Sequence, residues 1–329
     1  MKRVILLLCV CLSFFSCKNE KSIEKNIKLN GPVFGTGYNI QYHSEEGINY
    51  QPQFDSLFAV INKSLSTYIP DSDISKWNRN EEFNVDKHFR KVFNTSKKIF
   101  KESKGIFDPT IGNVVNAWNF GPDENKFLTD SATIQNLMKH VGFDNVKMLP
   151  TRFIKPDTVY LDFNAIAKGY GIDVIADFIA SKGINNYLVD IGGDMRSSGI
   201  NKDSKKGWTV GIEDPNFDGS KSYSKAITLK NMGMATSGTY RKFKLDAAGN
   251  RYAHIIDTKT GYPTKTNVLS VTVIAPSAML ADAYATTFQA MGVEEAKHFL
   301  NVHPELQAYF IYLDKKNVLK IMSLNGFAE

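Results

Sequence analysis

The chain has 329 residues, 43% of them hydrophobic and 22% charged, with a formal net charge of +6 at pH 7. That balance is globular and excludes a disordered or collagen-like chain. The charge excess is too small, and the lysines too evenly spread, to argue for a nucleic-acid partner.

Residues 1–17, MKRVILLLCVCLSFFSC, combine a basic start, an apolar stretch over Val4–Leu12 and the small residue Ser16 before Cys17. A bilayer span needs roughly 20 apolar residues, so this segment reads as an export signal over 1–16 rather than a membrane helix. A buried N-terminal strand is the other reading the pattern allows. All three cysteines, Cys9, Cys11 and Cys17, fall here, so the body of the chain can form no disulfide framework and no cysteine metal site. A cysteine at the cleavage point followed by the polar stretch KNEKSIEKN resembles a bacterial lipoprotein signal, although Phe14 stands where such signals usually carry Leu. The expectation is a lipid on Cys17, a flexible tether over 17–30 and a folded domain over 31–329. That domain would hang from a membrane surface on the periplasmic side.

Beyond the tether, GYNIQYH (37–43) alternates as a strand does, and 53–68 has helical spacing through Phe54, Leu57, Phe58 and Ile61. Phe89, Val92, Phe93 and Phe100 predict a second helix near 86–103, stopped by Gly105. The stretch LDFNAIAKGYGIDVIADFIASKG (161–183) reads as a short apolar strand, a polar turn and a long helix, with Ile172, Ile175, Ala176 and Ile179 on one face. A strand over 186–193 follows, then strands in WTVGI, KAITL, RYAHIID and LSVTVIA, helices at 277–291 and 293–301, and closing strands at AYFIYL and 318–322. Helices and strands mix without a βαβ rhythm, which favours an α+β domain over a doubly wound sheet.

Four clusters carry chemistry. In the turn before the long helix, Asp162 and Asn164 can cap, while Lys168 adds charge to a helix N-terminus, a ready anion site. A plain cap with a solvated lysine is equally open. Asp282 and Thr286 lie four apart on one helix face and offer hard oxygens suited to Mg2+, among alanines that permit close approach. The bland reading has Asp282 complementing its own helix and Thr286 bonding back to the backbone. His254, in YAHIIDTKTGYP, is either a general base or a satisfied structural histidine. Finally, Tyr68, Phe107, Trp118 and Phe120 can wall a pocket for a flat ring, with Asp108, Pro109 and Gly112 at its rim, or can simply be core.

Read together, FGTGYNI, STYIPDSDISKWN, GIFDPTIGNVVNAWNFGP, LDFNAIAKGYGID, YLVDIGGDMRSSG, WTVGIEDP, ATSGTYRKF, HIIDTKTGYP and SVTVIAPSAMLADAYAT resemble, in order, the motifs of the ApbE family. These are FAD:protein FMN transferases, many of them exported lipoproteins. The resemblance implies a single T-fold-like α+β domain that binds FAD with Mg2+, moves FMN onto a Thr or Ser hydroxyl of an acceptor protein and releases AMP. A subunit of a membrane redox complex is the expected acceptor. By the same resemblance Tyr68 stacks on the flavin, with Phe34, Ile106, Phe107, Asp108 and Ile256 around it. Asp162 and Lys168 hold FAD. The Ala165 carbonyl, Asp282 and Thr286 ligate Mg2+, and His254 is the base. Phe34, Asn164 and Thr258 depart from the family's usual Met, Gly and Pro. Two alternatives fit the same pocket: a Mg2+-dependent FAD pyrophosphatase giving FMN and AMP, and a lipid-anchored flavin carrier.

Overall fold

The computed structural model describes residues 25–83, 85–122, 130–150, 153–216, 218, 220, 222–240, 243–245 and 251–327. The expected signal segment, Cys17 and the first part of the tether lie outside the described residues. From there the chain runs β1 (Lys25–Val33), β2 (Thr36–Ser44), α1 (Gln51–Leu65), α2 (Asp73–Asn78), α3 (Lys87–Glu102), α4 (Gly112–Ala117) and α5 (Ser131–Met138). Next come β3 (Lys147–Met148), β4 (Phe153–Ile154), α6 (Ala167–Ser181), β5 (Tyr187–Ile191), β6 (Asp194–Ser198), β7 (Trp208–Glu213), β8 (Tyr223–Leu229) and β9 (Gly233–Gly238). The chain closes with β10 (Phe243–Leu245), β11 (Arg251–Ala253), β12 (Val268–Ala275), α7 (Ala278–Met291), α8 (Val293–Leu300), β13 (Gln307–Leu313) and β14 (Leu319–Leu324).

Eight strands form one sheet in the order β1-β2-β5-β6-β9-β12-β13-β14, antiparallel at every step. Both faces near its middle are covered. On one side, Val271, Val273 and Ala275 of β12 pack into the core that holds Ala281, Tyr284 and Phe288 of α7. On the other, Ile274 joins Val210, Ile212 and Ile227 of the β7–β8 hairpin. A strand buried on both faces has no polar side to show, and this is why VLSVTVIA reads as a nearly continuous apolar run.

Helices α6 and α7 lie together on the sheet, with α6 against β5 and β6 and α7 against β9 and β12. Their closeness depends on small residues. A Cβ on Gly233 of β9 would fall 2.3 Å from the Ala278 backbone nitrogen. Between β5 and β6 the chain reverses through Gly192 and Gly193, whose φ values of 60° and 88° suit a two-residue hairpin and are costly for other residues. Asp194 emerges directly from that turn.

The α+β expectation holds, with several boundaries moved. Residues 25–30, expected within the tether, are the first part of β1, paired in register with β2. Ile27 and Leu29 pack on the neighbouring core, giving this polar segment enough buried surface to join the sheet edge. No helix was expected at α2, α4 or α5. The first two have six residues each, too few for a 3.6-residue period to show. The strand expected over 251–257 ends at Ala253, because Asp257 turns the chain by accepting the N–H groups of Lys259 and Thr260. No ladder forms over 161–163. That segment is pinned instead by Asn78, whose side-chain amide exchanges two hydrogen bonds with the Leu161 backbone, and by Asp162 N–H donating to the Pro109 carbonyl.

Helix α3 is joined to α6 through a buried pair, His88 Nδ1 and Tyr170 Oη at 2.8 Å. Burial lowers the His88 pKa against the pull of Asp86, and burial with the nearby Asp86 charge pushes Tyr170 up to about 12. A histidine whose folded pKa lies below its unfolded value of roughly 6.5 binds fewer protons folded than unfolded. Its contribution to stability is therefore complete above pH 6.5 and is lost as pH falls through the lower folded value. Urea titrations between pH 7 and 5 should show a steeper loss of stability in the parent chain than in His88→Gln; equal slopes would remove His88 as the cause.

Candidate functional site

A cavity of about 270 Å³ opens where the α6 N-terminus meets α7, β9 and two loops. Most of the residues singled out from the sequence converge on it. Asp162, Ala165 and Lys168 line it from the turn before α6 and the helix start, and Asp282 and Thr286 line it from α7. Ile106, Phe107 and Asp108 come from the loop after α3, and His254 and Ile256 from the loop after β11. Phe34 and Tyr68 do not line it.

Helix α6 is not capped as the sequence suggested. Asp162 Oδ1 accepts the backbone N–H of Asn164 at 2.6 Å and its Oδ2 accepts Asn164 Nδ2 at 3.1 Å, so both polar side chains serve the turn itself. Ile166 occupies the N-cap position without a side-chain cap. At the helix start the Ala167 N–H goes back to the Phe163 carbonyl at 2.8 Å, and the Gly169 N–H donates to Asp282 Oδ2 of α7 at 2.8 Å. In a continuous helix that N–H would go to the Ala165 carbonyl. Among the described residues no hydrogen bond is donated to that carbonyl. Asp282 thus complements a helix N-terminus, but that of α6 rather than its own. The hydroxyl that bonds back to its own helix is that of Thr287, to the Ala283 carbonyl at 2.7 Å, not that of Thr286.

Gly169 is required by this contact. A Cβ there would sit 2.3 Å from the Ala278 carbonyl oxygen and 2.7 Å from Asp282 Cβ. The Asp282 residue is only 8% exposed. Burial pushes its carboxyl pKa up, while the Lys168 ammonium and the Gly169 N–H pull it back. Lys168 also makes an ion pair with Asp194, a nearly fully buried residue whose Oδ1 accepts the Thr236 N–H at 3.1 Å.

The walls divide into ring-like surface and loop scaffolding. Phe107 and Phe120 line the cavity, and Phe120 meets the His254 ring edge-on with centroids 6.3 Å apart. Asp108 holds its own loop: its oxygens accept Thr110 N–H at 2.8 Å, Thr110 Oγ1 at 2.6 Å and Phe143 N–H at 3.2 Å. Burial raises its pKa against those bonds. Trp118 is buried behind the wall and donates to the Gly261 carbonyl at 2.8 Å, so it belongs to the core beneath. Gly112 packs beneath Tyr160, not at the rim. Phe34, held at a φ of 48°, packs edge-on to Phe58 and over Gly171. Tyr68 is 54% exposed, and burial of its hydroxyl together with the charge of Asp162 raises its pKa, which places it in electrostatic reach of the turn.

Among the lining residues not singled out from the sequence are the polar Asp194, Thr236 and Ser237, with Gly238. The glycine pair before Asp194 was the available signal, since a two-residue turn delivers the next side chain to a fixed place. Thr236 to Gly238 come from β9, whose GMATSG sequence lacks alternation.

Mg2+ suits these donors. Among the described residues no group of three or more His, Cys, Asp or Glu side chains could hold a metal ion. The Asp282 carboxylate, the Thr286 hydroxyl and the Ala165 carbonyl left without a donor are all hard oxygens. That short set fits a cation that keeps several waters and completes its shell with substrate phosphates.

Gly169→Ala should force α6 from α7 and lower stability by about 1–3 kcal/mol by overpacking, despite the helix propensity gained. Urea unfolding measures this, and an unchanged or raised midpoint would refute the tight contact.

Comparison with known proteins agrees with this geometry. Residues 34–310 match the ApbE family. A Haemophilus influenzae protein named FAD:protein FMN transferase is 34% identical over 309 residues, covering 89% of this chain and 87% of the relative. A Vibrio cholerae protein of the same name is 36% identical over 284 residues, covering 84% of each. The solved flavin transferase ApbE from Vibrio cholerae superposes with a TM-score of 0.82 at 33% identity, covering 91% of this chain and 97% of that one. With its fold, its motifs and nearly its whole domain accounted for in this way, the chain belongs to the ApbE family.

Proposed function

We propose that this protein transfers FMN from FAD to a Thr or Ser hydroxyl of an acceptor protein and releases AMP. The observation that carries this reading is the meeting, in one cavity, of a helix N-terminus with its lysine, a buried carboxylate, a carbonyl without a donor among the described residues, and a histidine. The relatives' shared name supports the same chemistry.

In this reading the FAD pyrophosphate lies over the start of α6, where Lys168 and the helix dipole supply fixed positive potential. Phe107 and Ile256 present apolar surface to the flavin, with Ile106 beside them. Tyr68 offers an exposed ring at the mouth for stacking. Phe34 supports that region from behind through Phe58 and Gly171, and Asp108 keeps its loop in shape. Asp162 holds the turn and adds polar contact. Asp282, Thr286 and the Ala165 carbonyl hold Mg2+, whose chemistry would be to neutralise charge on the pyrophosphate oxygens and on the departing AMP phosphate. His254 takes the proton of the acceptor hydroxyl. The hydroxyl oxygen bonds to the FMN phosphorus as the P–O–P bond breaks, and AMP leaves with that electron pair.

We also propose export and lipid attachment at Cys17, supported by the pattern of residues 1–17. Residues 18–24 would then be all that separates the lipid from β1, keeping the enzyme close to a membrane where a redox-complex subunit could serve as acceptor. Cys17→Ser should move the protein from the membrane fraction to the soluble exported fraction; persistence in the membrane would count against the anchor.

The activity is tested with purified protein, FAD, Mg2+ and a flavin-accepting redox subunit, by intact mass of the acceptor and assay of AMP. An FMN mass increase matched by AMP and abolished by EDTA is expected. Free FMN and AMP with no modified acceptor would point to pyrophosphatase chemistry, and the absence of FAD turnover to a carrier. His254→Ala should keep FAD binding and lose transfer by about 100-fold or more. Asp282→Ala should lose the Mg2+-dependent rate, and an Asp282→Ala enzyme with normal Mg2+ dependence would sink the metal assignment.

A further inference from the structure

Outside the cavity lies a second cluster, centred on a buried carboxylate, that the transfer reaction does not use directly. Asp173, one and a half turns along α6 from Lys168, is only 6% exposed. Its Oδ1 accepts the backbone N–H of Ala278 at 3.0 Å, and its Oδ2 accepts that of Met279 at 2.9 Å. These are the first two N–H groups of α7, which have no partner within their own helix. Arg196 Nη1 reaches Asp173 Oδ1 at 3.0 Å and Asp177 Oδ1 at 2.9 Å. Arg196 and Asp194 are two apart on β6, so they share a face of the sheet. One strand therefore fixes α6 at two points, through Lys168 and through Asp173.

Asp173 and Asp282 form a closed exchange. Asp173 of α6 caps the start of α7, and four residues beyond Ala278 the same helix presents Asp282, which accepts the Gly169 N–H at the start of α6. Because backbone approaches backbone at Gly169, a shift of α7 along its axis moves Asp282 and Thr286 relative to the Ala165 carbonyl as one rigid body.

We propose that Asp173 is a positioning residue for the transfer site. Held by Arg196, it sets the axial position of α7 and thereby the spacing of Asp282 and Thr286 from Ala165. The inference rests on the reading of those three residues as cation ligands.

The test uses the full chain in detergent, with Mn2+ as the probe, its binding followed by electron paramagnetic resonance in the presence of FAD. Asp173→Asn can still accept one of the two N–H groups but turns an amide donor toward the other. Its Mn2+ affinity should fall by about 10-fold or more, as losses in residues supporting metal ligands do. The Mg2+ concentration for half-maximal transfer should rise by the same factor, while kcat at saturating Mg2+ stays within about threefold. A merely structural role would lower the melting temperature and leave Mn2+ affinity of the folded protein unchanged, and that result overturns the proposal. Should Asp173→Asn fail to fold, Arg196→Lys decides: it retains both caps and should weaken Mn2+ binding by a smaller factor, whereas unchanged affinity overturns the proposal. Asp282→Asn separates the two levels. If it binds Mn2+ normally, the ligand reading fails and the inference with it; if it loses Mn2+ while Asp173→Asn keeps full affinity, only the positioning role fails.

Discussion

Two buried carboxylates exchanged between α6 and α7 hold the centre of this protein. The first two N–H groups of α7 are satisfied by Asp173 of α6, and the Gly169 N–H in the first turn of α6 is satisfied by Asp282 of α7. Several otherwise separate features follow from that exchange. Gly169 has no side chain because the Ala278 carbonyl occupies the space, and Gly233 is bare for the same helix on its other flank. Among the described residues the Ala165 carbonyl has no donor, and the N–H that a continuous helix would aim at it is committed to Asp282. Alanines at 278, 281, 283 and 285 are all buried along the same helix.

Burying acids is unfavourable unless cations or N–H donors accompany them, and here the sheet supplies or receives both. Strand β6 contributes Asp194 to the Lys168 ammonium and Arg196 to the Asp173 carboxylate. Among the described residues Asp282 forms no ion pair of its own, and the nearby Lys168 is paired with Asp194. Burial drives its pKa upward, opposed by Lys168 and a single N–H. That leaves the site short of positive charge at the place where a divalent cation would be most welcome. The same asymmetry separates Asp173 and Asp108, with several donors each, from Asp282, with one N–H.

Legibility in the sequence followed length and burial. Helix α3, with Phe89, Val92 and Phe93 on its inner face and Asp86 accepting the Phe89 N–H as a cap, was readable within a residue or two. So was the doubly buried β12. Six-residue helices and a serine-, glycine-rich strand were not, since neither displays a period. At the site, residue types pointed to Asp282, Thr286 and Lys168, which line one cavity, yet the direction of Asp282 toward a different helix could not be read, because pairing between distant segments leaves no local pattern. The turn at 162–164 misled for a related reason. Asp and Asn serve turns and caps alike, and only the position of Ile166 decides between them. Trp118 was another ambiguous residue, a ring that sequence alone cannot assign to wall or core.

Two loops that line the cavity, the one after α3 and the one after β11, are tied to each other. Thr258 Oγ1 donates to the Gly105 carbonyl at 2.7 Å, using a hydroxyl that a proline at this position would lack, and Trp118 secures the same loop at Gly261. Neither wall can swing without breaking a bond to the other. The entropy of ordering these segments is therefore lost once, as the chain folds, and not again each time a dinucleotide arrives. What enters meets a slot already set to width, so discrimination among nucleotides should arise from shape at first contact rather than from closure around a bound guest.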